Sequence, residues 1–104
     1  MLDYESTLIS KRFLECLSRL KADGRITGVY QFCERYGINR RNLSQLYKDP
    51  SRQIFKPSWL YFLVRDFGIS ADYLLTGRGS VYMVSEEKRA KNVQAISELL
   101  ATLL

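Results

Sequence analysis

Apolar residues recur at helical spacing along most of the chain, and glycine or proline separates the recurring stretches. The first stretch begins at Ser6 or Thr7 and ends near Lys21. A later one is opened by Pro57, which suits the first turn of a helix. Intervals of three and four residues place side chains on one face of an α-helix, so the pattern predicts helices and almost nothing else. The apolar faces of these two helices consist of Ile9, Phe13, Cys16, Leu17 and Leu20, and of Leu60, Leu63, Val64 and Phe67.

Two short helical patterns lie between residues 27 and 48 and are separated by Gly37. Glycine can adopt the positive φ with which many helices end. Asn39 can cap the second helix by accepting a hydrogen bond from a free backbone N–H group. Leu43 and Leu46, three residues apart, turn one side of that helix back onto the first. Two short helices joined in this way are typical of a DNA-reading helix pair.

The opposite side of the second helix carries polar side chains. These side chains can form hydrogen bonds either to base edges or to phosphates of DNA. These outward residues are Arg40, Arg41, Asn42, Ser44 and Gln45.

Positive charge is concentrated in residues 25–56. The chain has a net charge of +5, and this segment contains seven basic and two acidic residues, which gives +5 by itself. The remaining nine basic and nine acidic residues cancel. A basic face at a helix pair indicates a polyanionic partner, although an ordinary solvated basic surface is the alternative.

The composition excludes several classes of site. The chain has no histidine, which rules out histidine triads and histidine metal sites. Cys16 and Cys33 are its only cysteines, and both fall on apolar faces, so we expect reduced core residues and no metal. With no paired carboxylates and no glycine-rich phosphate loop, neither an enzyme nor a cofactor is expected. The absence of a long apolar segment predicts a cytoplasmic protein without membrane contact.

Two stretches of the chain combine turn glycines with apolar residues in a recognisable register. The first reads Phe32-Cys33-Glu34-Arg35-Tyr36-Gly37-Ile38-Asn39, followed by Leu43-Ser44-Gln45-Leu46. The second reads Phe67-Gly68-Ile69-Ser70-Ala71-Asp72-Tyr73-Leu74-Leu75-Thr76-Gly77-Arg78-Gly79. Together they resemble the lambda-repressor-like, or Cro-type (XRE), helix-turn-helix family of bacterial and phage regulators, and the resemblance covers about residues 7–79.

The resemblance implies an all-α fold with a five-helix DNA-binding domain over residues 1–79. The sequence itself predicts the short fifth helix, Ala71 to Thr76, which Ser70 can cap and which ends at Gly77. The third helix of the domain, residues 39–48, would lie in the major groove of double-stranded DNA. By register, the base-reading residues would be Arg40, Arg41, Asn42, Ser44 and Gln45. An arginine can bond O6 and N7 of guanine, and a glutamine suits adenine, although both arginines could instead meet only phosphates.

Phosphate contacts would flank this helix on both sides. Val29 replaces a glutamine with which many family members bond a phosphate, so the preceding residues and the free N–H groups of the second helix would take over this contact. The residues expected to bind phosphates are Thr27, Gly28, Tyr30, Asn39, Lys48, Ser51, Arg52 and Lys56.

The aromatic residues admit a second interpretation, a base-stacking platform for single strands. Their helical spacing favours packing in the core instead, with Tyr47 and Tyr61 as exceptions to consider. The residues concerned are Tyr30, Phe32, Tyr36, Tyr47, Phe55, Trp59, Tyr61, Phe62 and Phe67.

Residues 80–104 are predicted to form a linker and a C-terminal amphipathic helix that begins at Ser85. Its apolar positions could pair two copies of the chain or fold back onto their own domain. We expect a homodimer that binds a two-fold symmetric operator, most simply as a transcriptional repressor. A protein-interaction module, antitoxin-like or regulator-binding, with weak DNA affinity is the alternative. The residues expected to form the dimer contact are Val93, Ile96, Leu99, Leu100, Leu103 and Leu104.

Overall fold

Helices dominate the described part of the chain, as the sequence pattern predicts. The computed structural model describes residues 3–83. Within them the helices are α1 Tyr4–Ala22, α2 Val29–Tyr36, α3 Arg40–Lys48, α4 Pro57–Phe67 and α5 Ala71–Thr76. The all-α prediction is therefore confirmed for this part of the chain.

Helix α1 begins earlier than the sequence pattern predicted. Asp3, rather than Ser6 or Thr7, caps it, because its Oδ1 accepts a hydrogen bond from the Ser6 backbone N–H at 2.7 Å. An aspartate at this position also satisfies the positive end of the helix dipole. The polar residues of the first turn therefore lie inside the helix.

Helix α2 ends at Gly37, as predicted. Gly37 has φ 65°, in the left-handed region, and the N–H groups of Gly37 and Ile38 both donate to the carbonyl of Cys33. A residue with a side chain is strained at this φ, so glycine permits the chain to turn at once into α3.

All five helices contribute to one hydrophobic core. The Phe13 ring of α1 contacts the rings of Phe32, Phe55 and Trp59, with centroids 5.5 to 6.1 Å apart. The buried apolar residues are Phe13, Leu14, Cys16, Leu17, Leu20, Ile26, Phe32, Cys33, Ile38, Leu43, Leu46, Trp59, Leu63, Phe67, Ile69 and Leu74. Burial raises the pKa of Cys16 to about 12 and raises that of Cys33 as well, so both thiols behave as apolar groups.

Residues 80–83 return towards α4. Ser70 N–H donates to the Val81 carbonyl at 2.7 Å, and Met83 N–H donates to the Gly68 carbonyl at 2.8 Å. These bonds form an antiparallel bridge between Ile69 and Tyr82. The Tyr82 hydroxyl also donates to Asp23, after the end of α1. The described start of the predicted linker is therefore bound to the helical domain.

The C-terminal helix and the dimer contact predicted from Val93 to Leu104 lie outside the described residues. No helix within residues 3–83 is long and apolar enough to cross a membrane.

Candidate nucleic-acid interface

Helix α3 is anchored along one side and exposed along the other. Leu43 and Leu46 are fully buried. Full burial of a leucine side chain stabilises a fold by about 1.5 to 3 kcal/mol. Arg40, Arg41 and Ser44 are exposed on the other side, while Asn42 and Gln45 are half-buried. Three of the five residues predicted to read bases therefore lie on the exposed surface of this helix, and the other two are partly covered.

The start of α3 is fixed by Asn39. Its Oδ1 accepts a hydrogen bond from the Asn42 backbone N–H at 3.1 Å, which confirms the predicted cap. The amide oxygen of Asn39 is thus used within the chain. A phosphate contact from this side chain would come from its amide nitrogen.

Tyr30 is exposed and lies against α3. Tyr30 is 66% exposed, so the core packing that helical spacing favours for most of the aromatic residues does not hold for it, and its predicted phosphate contact stays a prediction. The Arg40 Cζ lies 4.8 Å from the centroid of the Tyr30 ring, within the range of a cation–π contact. Sequence periodicity could not reveal this pair, because the two residues belong to different helices joined by a turn.

The side-chain carbonyl oxygen of Gln45 accepts a hydrogen bond within the chain. Arg52 Nη1 donates to Gln45 Oε1 at 3.5 Å, a long hydrogen bond. A glutamine that binds adenine uses both its oxygen and its nitrogen. An adenine contact by Gln45 would therefore require this bond to open, whereas its amide nitrogen can donate without that change.

Two of the residues predicted to bind phosphates, Thr27 and Ser51, donate their hydrogen bonds to other residues of the chain. The N–H and hydroxyl of Thr27 donate to Gln31 Oε1 at 2.7 and 3.0 Å. The N–H and hydroxyl of Ser51 donate to Asp49 Oδ1 at 3.1 and 2.6 Å. The Ser51 bonds also lower the pKa of Asp49. Neither hydroxyl is oriented to donate to a phosphate in this conformation.

A groove of about 700 Å³ runs between α2 and α3. Glu34, an acidic residue, lines this groove together with the two arginines that open α3. A second cavity, of about 420 Å³, lies at the start of α2 and brings Lys21 next to residues 27–31. Lys21 is a basic residue that sequence reasoning did not include in the site. The lining of the first groove is Tyr30, Cys33, Glu34, Gly37, Ile38, Asn39, Arg40 and Arg41.

The basic residues of segment 25–56 do not form a single surface. Arg25 and Arg35 lie over the Phe67 ring of α4, with Cζ 5.7 and 5.5 Å from its centroid. Arg35 also lies 3.9 Å from Asp66. The other five cations belong to α3 and the loop that follows it, and they are Arg40, Arg41, Lys48, Arg52 and Lys56.

Asp66 joins α2 to α4 on the side of Arg35. Its carboxylate accepts hydrogen bonds from Arg65 at 2.8 and 2.9 Å and from the Tyr36 hydroxyl at 2.6 Å. The Arg65 bonds, and next the Tyr36 bond, hold the pKa of Asp66 well below its usual range. Burial, and next the bond to Asp66, raises the pKa of Tyr36 to about 12. The Tyr36 ring stacks on Phe62 with centroids 4.4 Å apart.

Comparison of the chain with protein-family models, with curated proteins and with solved structures finds no match.

Proposed function

We propose that this chain is a sequence-specific, double-stranded DNA-binding transcriptional regulator that places α3 in the major groove. The observation that carries this proposal is the two-sided character of α3. Leu43 and Leu46 anchor the helix in the core, while Arg40, Arg41 and Ser44 face solvent together. A helix held in this way can enter a groove about 12 Å wide without loss of its packing.

The order of the helices supports a lambda-repressor-like fold. Helices α2 and α3 are short and are joined by a turn at Gly37, and α5 follows α4 after the Gly68–Ser70 segment. The two stretches that carry the family resemblance fall on these elements. We therefore assign the groove-entering role to α3 and the supporting role to α2.

The surrounding charges support DNA as the partner. Lys48, Arg52 and Lys56 follow the exposed face of α3 and can neutralise phosphates on one side of it. The backbone N–H groups at the start of α2, which no side chain caps, can donate hydrogen bonds to a phosphate on the other side. This distribution favours binding that depends strongly on salt concentration.

We further propose a homodimer that binds a two-fold symmetric operator and represses transcription by blocking polymerase. This part rests on the apolar pattern of residues 93–104. Half-sites would lie about one helical turn apart, roughly 34 Å, if the dimer resembles those of the family.

Selection from a random pool of DNA duplexes tests this function. The purified full chain is mixed with the pool at near-physiological salt, and the bound fraction is sequenced. We expect an enriched inverted repeat. An enriched single half-site would retain the regulator and exclude the dimer. No enrichment would contradict sequence-specific binding and would favour a protein-interaction module.

A pair of double variants provides the control. Arg40→Ala with Arg41→Ala should abolish the sequence preference. Lys11→Ala with Arg78→Ala removes the same charge from exposed positions on α1 and after α5, and should keep the preference. Loss of the preference in both variants would show that net charge, rather than α3, determines binding. A preference kept by Arg40→Ala with Arg41→Ala would exclude these two arginines from base reading.

A further inference from the structure

We propose that Tyr30 is a positioning residue that holds Arg40 ready to read a guanine in each half-site. This inference rests on the proposed function and deepens it, because it assigns one base to one arginine. Tyr30 itself would not read the base.

The geometry of the pair points to this role. The Arg40 guanidinium lies 4.8 Å from the Tyr30 ring centroid, on the exposed side of the α2–α3 pair. The backbones of α2 and α3 are both held against the core, since Phe32 and Cys33 of α2 and Leu43 of α3 are buried. A ring attached to one anchored helix therefore supports a guanidinium attached to the other.

The physical reason is preorganisation. A free arginine loses rotamer freedom when it forms the two parallel hydrogen bonds that recognise O6 and N7 of guanine. A guanidinium already stacked on a ring loses less of that freedom on binding. A cation–π contact at an exposed site corresponds to about a two- to five-fold change in an equilibrium.

Arg41 differs from Arg40 in this respect. The part of the chain that the structure describes places no aromatic ring against Arg41, which is also exposed. We therefore assign the guanine to Arg40 and a phosphate contact to Arg41.

Selections with four proteins, run side by side at one salt concentration, test this inference. The proteins are the wild-type full chain, Arg40→Ala, Tyr30→Phe and Tyr30→Leu. The Phe variant keeps the ring and removes the hydroxyl, and the Leu variant removes both. Because Tyr30 is exposed, both variants should fold, and their thermal unfolding curves check this.

We expect the wild type to select a guanine that Arg40→Ala no longer selects. Tyr30→Phe should keep this preference. Tyr30→Leu should weaken it by about two- to five-fold while preferences at the other positions stay unchanged.

Three outcomes overturn the inference. They differ in whether the proposed function is overturned with it. Full guanine preference in Tyr30→Leu would exclude the positioning role and leave the regulator intact. Loss of the preference in Tyr30→Phe would assign the effect to the hydroxyl. A wild-type pool without any preferred sequence would overturn the proposed function together with this inference.

A second measurement needs no DNA. Protons of the Arg40 side chain that lie over the Tyr30 ring should resonate upfield in wild type and Tyr30→Phe, and at ordinary positions in Tyr30→Leu. Ordinary positions in the wild type would contradict the stacked geometry.

Discussion

At the scale of the residue, Asn39 combines two properties that can be separated by substitution. Its side-chain oxygen caps α3 through the Asn42 N–H, while the residue itself lies exposed at the edge of the proposed DNA surface. Loss of the cap should lower the stability of the fold, whereas a charge introduced at this position should change the affinity for DNA.

Asn39→Ala should destabilise the fold by about 1 kcal/mol, because it removes the cap. Asn39→Asp should keep the stability, since aspartate caps a helix equally well, but it should weaken DNA binding several-fold by placing a negative charge near phosphates. Chemical denaturation and a DNA titration measure the two effects. Tight binding by Asn39→Asp would place the DNA elsewhere.

Asp66 gives a prediction for pH dependence. Its pKa is lowered in the folded state, by hydrogen bonds from Arg65 and then Tyr36. A lowered folded pKa contributes stability that is present above the unfolded pKa of about 3.9 and is lost as pH falls towards the folded value. Below pH 4, the unfolding free energy of Asp66→Asn should therefore fall less steeply with pH than that of the wild type.

Asp72→Asn provides the matched control for this measurement, because it removes an exposed carboxylate from α5, outside the Arg65 and Tyr36 contacts. Denaturation midpoints at several pH values measure the slopes. Identical acid profiles for wild type and Asp66→Asn would show that the Asp66 contacts contribute nothing to stability.

At the scale of the element, the turn between α2 and α3 orients the proposed recognition helix. Gly37 has φ 65°, and a Cβ added there meets no atom within 4 Å. Substitution at this position therefore tests the backbone conformation alone, free of steric contacts.

Gly37→Ala should destabilise the fold by about 1 to 2 kcal/mol, because alanine is strained in the left-handed region. Gly37→Asn is the matched control, since asparagine has a side chain but adopts the left-handed region more readily than alanine. It should lose clearly less stability than Gly37→Ala. Equal losses in both variants, measured by denaturant unfolding, would contradict this account of the turn.

The elements were more predictable than the contacts between them. Helical spacing, Pro57 and the glycines after α2 and α4 are local signals, and they locate the end of α2 and both ends of α4 from sequence. The start of α1 was missed because Ser6 and Asp3 are both good caps and only the folded chain shows which one is used. The Tyr30 and Arg40 contact could not be predicted, since it depends on the angle between two helices.

At the scale of the whole molecule, the arrangement of charge differs from its distribution along the sequence. Arg25 and Arg35 are close in sequence to the α3 cations but lie on the Phe67 ring of α4. Sequence counting therefore overestimated the basic surface around α3. It still identified Lys48, Arg52 and Lys56, which follow α3 directly.

Lys56→Gln should weaken DNA binding uniformly across sequences. Each phosphate contact that is lost should make the slope of log K against log salt less steep by about 0.9. Lys11→Gln, at an exposed position on α1, should leave this slope unchanged. Binding titrations between 50 and 200 mM salt, a range in which about 10³ to 10⁵ in affinity is lost for proteins with many phosphate contacts, measure the slope. Equal slopes in Lys56→Gln and the wild type would remove Lys56 from the interface.

The proposed dimer is tested with the full chain by sedimentation equilibrium. Leu100→Asp changes an apolar position of the predicted C-terminal face, and Gln94→Asp adds the same charge at a polar position. We expect a dimer for wild type and Gln94→Asp and a monomer for Leu100→Asp. A monomeric wild type would exclude the dimer.

The central claim is that DNA binds at the exposed face of α3, and an NMR titration of the uniformly ¹⁵N-labelled full chain with a short duplex tests it most directly. We predict that the largest amide shifts occur at the start of α2, along α3 and in the loop that follows it. Shifts confined to α1 and α5, or no shifts at low salt, would contradict the account.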